Sequence, residues 1–179
     1  MLPRCLTPWK CEPRVLCPEL LPTQLKFQKL LIICLVIPLA VGGVAALLTG
    51  GGMDTFETLN QPPLSPPGWL FPVVWTILYI LMGIASYLVL TTGKSQESIR
   101  RALILYGIQL AFNFLWPIFF FSLSAYLFAF IWLVALLLLI IATTVSFYRI
   151  SDIAGYLMIP YLIWVTFAGY LNLGVYLLN

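Results

Sequence analysis

Residues 30–48 read LLIICLVIPLAVGGVAALL, a run without a single charged side chain. At about 1.5 Å of rise per helical residue, such a run comes close to crossing the roughly 30 Å of bilayer hydrocarbon. Working outward, there are four more long apolar runs: Trp69 to about Thr91, about Ile99 to Phe121, about Ala125 to Phe147, and Ile153 to Leu178. Of the 179 residues, 62% are hydrophobic and 8% charged, where soluble domains carry about 25% charged residues. Mean hydropathy is +1.03. The apolar residues run on without the polar alternation that a membrane β-barrel needs. The predicted fold is therefore an all-α integral membrane protein. It is a five-transmembrane-helix bundle over residues 26–179, with the lipid bilayer as its first partner and no nucleic-acid partner.

Charge placement gives an expected orientation. Lys26 and Lys29 precede the first run, Lys94, Arg100 and Arg101 lie between the second and third, and Arg149 lies between the fourth and fifth. The intervening connections carry no Lys or Arg, only Asp54 and Glu57. Since basic loops stay cytoplasmic, the N-terminus is predicted inside and the C-terminus outside. Residues 1–25 hold several prolines and the evenly spaced Cys5, Cys11 and Cys17. With no His in the chain, these thiols do not match a usual zinc pattern, and no metal site is expected. The segment lacks the apolar core of a signal peptide and reads as a disordered extension. Cys34 reads as a small apolar helix residue.

The connection at residues 49–68 is the most distinctive. Gly50, Gly51 and Gly52 permit a bend, and Pro62, Pro63, Pro66 and Pro67 stiffen the remainder of the loop. It reads as a hinged, partly rigid flap on the outer surface. Trp69 then falls at interface depth, and Pro72 in a first helical turn where its missing N–H costs little.

Beyond the loop, the apolar runs carry three stripes at helical spacing. They are Trp75, Tyr79, Met82 and Ser86; Gln109, Asn113, Trp116 and Phe120; and Tyr161, Trp164, Ala168 and Asn172. Polar side chains fit poorly against lipid, so these faces are expected to point inward. Together they suit either the wall of a small-molecule cavity or plain packing with amides as interhelical glue. Gly107 with Ala111, and Gly42 with Ala46, share a small-x-x-x-small spacing that permits close helix approach. Trp132 reads as packing or lipid contact.

Residues 61–79, QPPLSPPGWLFPVVWTILY, resemble the signature of the TspO/MBR family, as do 113–120, NFLWPIFF, and 160–172, PYLIWVTFAGYLN. That family includes bacterial tryptophan-rich sensory proteins and the mitochondrial translocator protein. The resemblance covers about Leu25 to the C-terminus. It implies a ligand cavity lined by Trp75 and Trp164, with Asn113, Trp116 and Ala168 carried over beside them. The stripes add Tyr79, Phe120 and Asn172. Ala168 followed by Gly169, where many relatives have Ala-Thr, is expected to leave free volume beside Trp164. Other departures are Thr55-Phe56 for a Trp-Tyr pair and Gln61-Pro62 for Lys-Pro. The C-terminal sterol motif lacks its basic residue, since Tyr176 is followed only by Leu177, Leu178 and Asn179. A reversed sterol pattern runs from Arg101 through Tyr106 to Leu110.

The resemblance implies a membrane receptor or carrier for porphyrins, sterol-like lipids and isoquinoline or benzodiazepine compounds, with a possible place in tetrapyrrole or stress regulation. A porphyrin would be ligand or substrate, and no obligatory cofactor is expected. The alternative is a light- and oxygen-dependent porphyrin-degrading enzyme, in which Trp75 and Trp164 would act. An ion-coupled transporter fits less well, since no ionisable residue sits deep in the runs. The resemblance also implies a homodimer through Gly107 and Ala111, in the cell membrane of a bacterium.

Overall fold

The computed structural model describes residues 20–50 and 52–179, and the side chains among them except those of 20–25 and 53–55. Seven α-helices lie in this range: α1 (Leu20–Leu48), α2 (Gly52–Thr58), α3 (Leu70–Thr91), α4 (Gln96–Pro117), α5 (Tyr126–Ile150), α6 (Asp152–Leu157) and α7 (Ile159–Leu178). Five stretches are long and apolar enough to cross a membrane: 26–48, 70–91, 96–122, 126–150 and 152–178.

The ends depart from the sequence expectation for identifiable reasons. α1 starts ten residues before its apolar run, so residues 20–25 are helical rather than part of an extension. Leu, Gln and Lys are good helix formers, and the hydrophobic run marks what crosses lipid, not where a helix begins. Residues 1–19, with Cys5, Cys11 and Cys17, lie outside the described residues. The flap contains the two-turn helix α2. α4 starts at Gln96 because the Ser95 side chain caps it, accepting from the Ser98 N–H at 3.4 Å. It gives way after Pro117 to a π-helical turn, 118–122, in which the Leu123 N–H reaches back to the Ile118 carbonyl. The fifth span is two helices. Pro160 has no N–H to give and its ring would strike the carbonyl four residues back, so the helix resets at Met158.

Each span packs on two neighbours. α1 lies on α3, α3 on α6, α6 and α7 on α5, α5 on α4, and α4 on α1, which closes a ring. The ring order differs from chain order, with the fifth span seated between the second and fourth. Gly83 permits the α1–α3 contact, since a Cβ there would lie 2.8 Å from the Cys34 carbonyl oxygen. Apolar side chains fill one half of the ring interior, with Met82, Ala85, Val89, Ile140, Phe147 and Met158 wholly buried. Residues such as Ile32, Ile33, Leu138 and Ile163 face outward, as the lipid-contacting face of a bundle requires.

Candidate functional site

The other half of the ring, next to the flap, is hollow. A cavity of about 320 Å³ lies between α1, α3 and α4. α3 contributes Phe71, Pro72, Trp75 and Tyr79; α4 contributes Asn113, Trp116 and Pro117, with Phe121 from the π turn. α1 supplies a wall of small residues, Gly42, Ala45, Ala46 and Thr49. Gly42 is required here, because a Cβ would fall inside the Tyr79 ring. At the flap, Gly52 touches the Phe121 ring, and Phe56 meets Phe71 edge-on at 5.2 Å between centroids.

A buried hydrogen-bond network fixes the rings. The Tyr79 hydroxyl donates to Asn113 Oδ1 at 2.6 Å. Asn113 Nδ2 and Gln109 Nε2 each donate to the Tyr161 hydroxyl at 2.8 Å. Trp116 Nε1 donates to Asn172 Oδ1 at 3.2 Å, and Asn172 Nδ2 donates to the Tyr126 carbonyl at 2.9 Å. Trp75 stacks on Tyr79 at 5.6 Å, and Trp116 on Phe120 at 5.4 Å. The result is a slot with aromatic walls, one amide, that of Asn113, already engaged by Tyr79 and Tyr161, and no charged group among its lining residues. Such a slot offers stacking faces to flat apolar rings and few directing polar groups, as small-molecule sites do.

The flap is fastened to α7. Asn179 Nδ2 donates to the Asn60 carbonyl and the Asn60 N–H to Asn179 Oδ1, both at 3.0 Å. The Tyr170 hydroxyl donates to the Pro63 carbonyl at 2.8 Å. Pro62 seats on Gly174, where a Cβ would come within 2.6 Å of the proline ring.

All three stripes face inward, but only two reach the cavity. Trp75, Tyr79, Asn113 and Trp116 line it. Phe120 and Asn172 stand behind Trp116 as its stacking and hydrogen-bonding supports. Ala168 is buried away from the slot. The space that Gly169 leaves is taken up on the α5 side by Leu133, 3.3 Å from where a Cβ would be. Trp164 lies one ring behind the wall, edge-on to Phe71 at 5.8 Å, and its buried indole N–H has no acceptor among the described residues. Gly107 and Ala111 lie together on an exposed face of α4, and a Cβ on Gly107 would meet nothing within 4 Å. Trp132 is packing: it stacks on Phe112 at 4.2 Å and donates to the Phe112 carbonyl at 2.9 Å. The reversed sterol pattern does not form one surface, since Arg101 is exposed while Tyr106 and Leu110 are buried.

Sequence reasoning missed the α1 wall, Phe71 and Phe121. The Gly42–Ala46 spacing was its one available sign, and by itself that spacing reads equally well as helix contact.

The fold and site define a class: a multi-pass membrane protein with five spans and an aromatic slot between three of them. Residues 34–177 match the model of the TspO/MBR family, and the chain belongs to that family. It is 39% identical over 150 residues to a tryptophan-rich protein TspO of Chlorobaculum tepidum, covering 83% of this chain and 95% of the relative. It is 38% identical over 138 residues to the protein CrtK of Rhodobacter capsulatus, covering 77% and 85%. It is 37% identical over 142 residues to the translocator protein of Bos taurus, covering 76% and 82%.

Proposed function

We propose that this chain is a membrane receptor or carrier that takes flat hydrophobic ligands into the α1–α3–α4 slot. One observation carries the reading: a void of about 320 Å³ walled by Trp75, Tyr79 and Trp116 and held open by hydrogen bonds. Pockets for small ligands run from about 300 to 1,000 Å³, so the slot suits a ligand of two or three fused rings. A tetrapyrrole, with more than twice the ring atoms of an isoquinoline, would enter only with the flap displaced from α7. Trp164 supports this wider mode, because a ligand that turned Phe71 aside would give its unpartnered N–H an acceptor. The porphyrin-degrading reading needs both Trp75 and Trp164 at the ligand, which requires the wider mode, whereas binding of smaller flat rings needs only the slot that Trp75 already lines; binding is therefore the reading we favour.

Titration of protoporphyrin and of an isoquinoline carboxamide into the purified protein tests this by tryptophan fluorescence. Saturable quenching is expected for both, weakened at least tenfold by Trp75→Ala. Curves unchanged by that substitution would remove the slot from the proposal. We further propose a homodimer through the open Gly107–Ala111 face of α4, with the basic end of the bundle cytoplasmic. Gly107→Leu should halve the protein mass measured in detergent. A cysteine-accessibility map of the flap would check the orientation.

A further inference from the structure

At the end of the bundle remote from the flap, α3 and α4 leave an open groove of about 560 Å³. Gln96, Arg100, Leu103 and Ile104 line it from one face of α4, and Leu90 lines it from the end of α3. Its character changes along its length. Gln96 and Arg100 sit in the first turns of α4, while Leu103 and Ile104 lie one turn further along, about 5 Å nearer the bilayer centre. Ile104 is 52% exposed, an apolar surface turned toward hydrocarbon. The groove thus has a cationic mouth and an apolar tail.

Arg100 is available to a ligand. Glu97 also borders the groove, but its carboxylate is held by Arg101 Nε, at 2.6 Å. Arg100 has no ion-pair partner among the described residues. The surroundings are strongly basic: Lys26, Lys29, Lys94, Arg100, Arg101 and Arg149 all fall at this end of the spans, against Glu97 and Asp152. An anion is drawn to the mouth, and the tail needs an apolar chain to cover it. A soluble anion would use only the mouth and gain nothing from Leu103 and Ile104. A zwitterionic lipid would bring its own cation to a mouth already crowded with basic residues, which offsets the attraction of its phosphate.

We propose that this groove is a binding site for an anionic phospholipid, its head-group phosphate on Arg100 and Gln96 and one acyl chain along Leu90, Leu103 and Ile104. Basic recesses between transmembrane helices are chemically suited to such head groups. The site is separate from the aromatic slot and does not depend on what the slot binds.

Native mass spectrometry of the full chain, stripped of lipid in detergent and mixed with matched phosphatidylglycerol and phosphatidylcholine, tests the proposal. The wild type should retain one phosphatidylglycerol at collision energies that remove phosphatidylcholine. Arg100→Gln should lower that retention about tenfold. Arg149→Gln, the same charge change at the same end outside the groove, should stay within twofold of wild type. Equal losses in the two variants would mean diffuse attraction to the basic end and would overturn the site. Equal retention of the two lipids would overturn it too, as would displacement of phosphatidylglycerol by equimolar inorganic phosphate, which would reduce the mouth to an anion site without a lipid. Arg100 and Arg149 are exposed, so both variants should keep the wild-type melting temperature and separate lost binding from lost fold.

Discussion

The same helices build a solid half and a hollow half. From Met82 to Val89 on α3, and from Leu136 to Phe147 on α5, the interior is closed by Met, Ala, Val, Leu, Ile and Phe with almost no exposure, together with the buried hydroxyls of Ser86 and Thr143. One turn nearer the flap, α3 and α4 present Trp75, Tyr79, Asn113 and Trp116 around a void. Flexible aliphatic chains repack until voids vanish. Rings tied at their polar ends cannot. Tyr79 is held by Asn113, and Trp116 by Asn172 on one side and the Phe120 ring on another. The amides therefore hold the slot open, and small residues on α1 leave it unfilled. A bundle can keep a cavity only where something stops its walls from relaxing inward.

The sharpest test of that contrast is to overfill the solid half. Gly83→Leu places a Cβ 2.8 Å from the Cys34 carbonyl and 2.9 Å from the Leu35 Cα, both backbone atoms that cannot turn aside. α1 must move off α3, at a cost on the order of 3 kcal/mol. Thermal melting in detergent should fall by roughly 10 °C, at about 2–4 °C per kcal/mol for a chain of this size. A wild-type melt would show that the solid half is looser than its burial implies. Asn113→Leu makes the next largest change and acts on the hollow half. It removes the acceptor of the Tyr79 hydroxyl and one donor to Tyr161. Interhelical bonds in membranes contribute roughly 0.6–2 kcal/mol each, so the expected loss is about 2 kcal/mol. Tyr79 would then be free to fall inward, and isoquinoline binding should weaken by more than its stability cost alone predicts. Unchanged affinity would mean that the amide does not hold the wall.

Much of the bundle was legible because bilayer physics is one-dimensional. Five long apolar runs sufficed for the spans, and polar residues in them had to face inward, as Gln109, Asn113 and Asn172 do. Ring order was not legible, because helix-to-helix choice depends on side-chain fit that no run of Leu and Ile encodes. That gap misplaced the slot. With α7 taken as a wall, Trp164 and Ala168 counted as lining; with α1 in its place, Gly42 and Ala46 do. The breaks at Pro117 and Pro160 were legible in principle, since each proline lacks the N–H that a continuous helix needs. The π turn that brings Phe121 to the slot was not, because the missing bond alone does not choose between a kink and a wider turn.

The finest comparison is between two neighbours on α1. Gly42 and Gly43 are adjacent and helical, so an alanine gives each the same intrinsic gain, about 0.5–1 kcal/mol. Their surroundings differ completely. At Gly43 a Cβ meets nothing within 4 Å, while at Gly42 it enters the Tyr79 ring. Gly42→Ala must push that ring off Asn113 and into the slot. Losing this hydrogen bond, about 1 kcal/mol, and crowding the ring, about 1–3 kcal/mol, should outweigh the helix gain, so the melting temperature should fall by a few degrees while isoquinoline affinity falls about tenfold. Gly43→Ala should raise the melting temperature by a few degrees through its helix gain and leave affinity alone. Should the two variants bind alike, Tyr79 has room to yield without narrowing the slot, and the tyrosine–amide pair would not be what keeps this half of the bundle hollow.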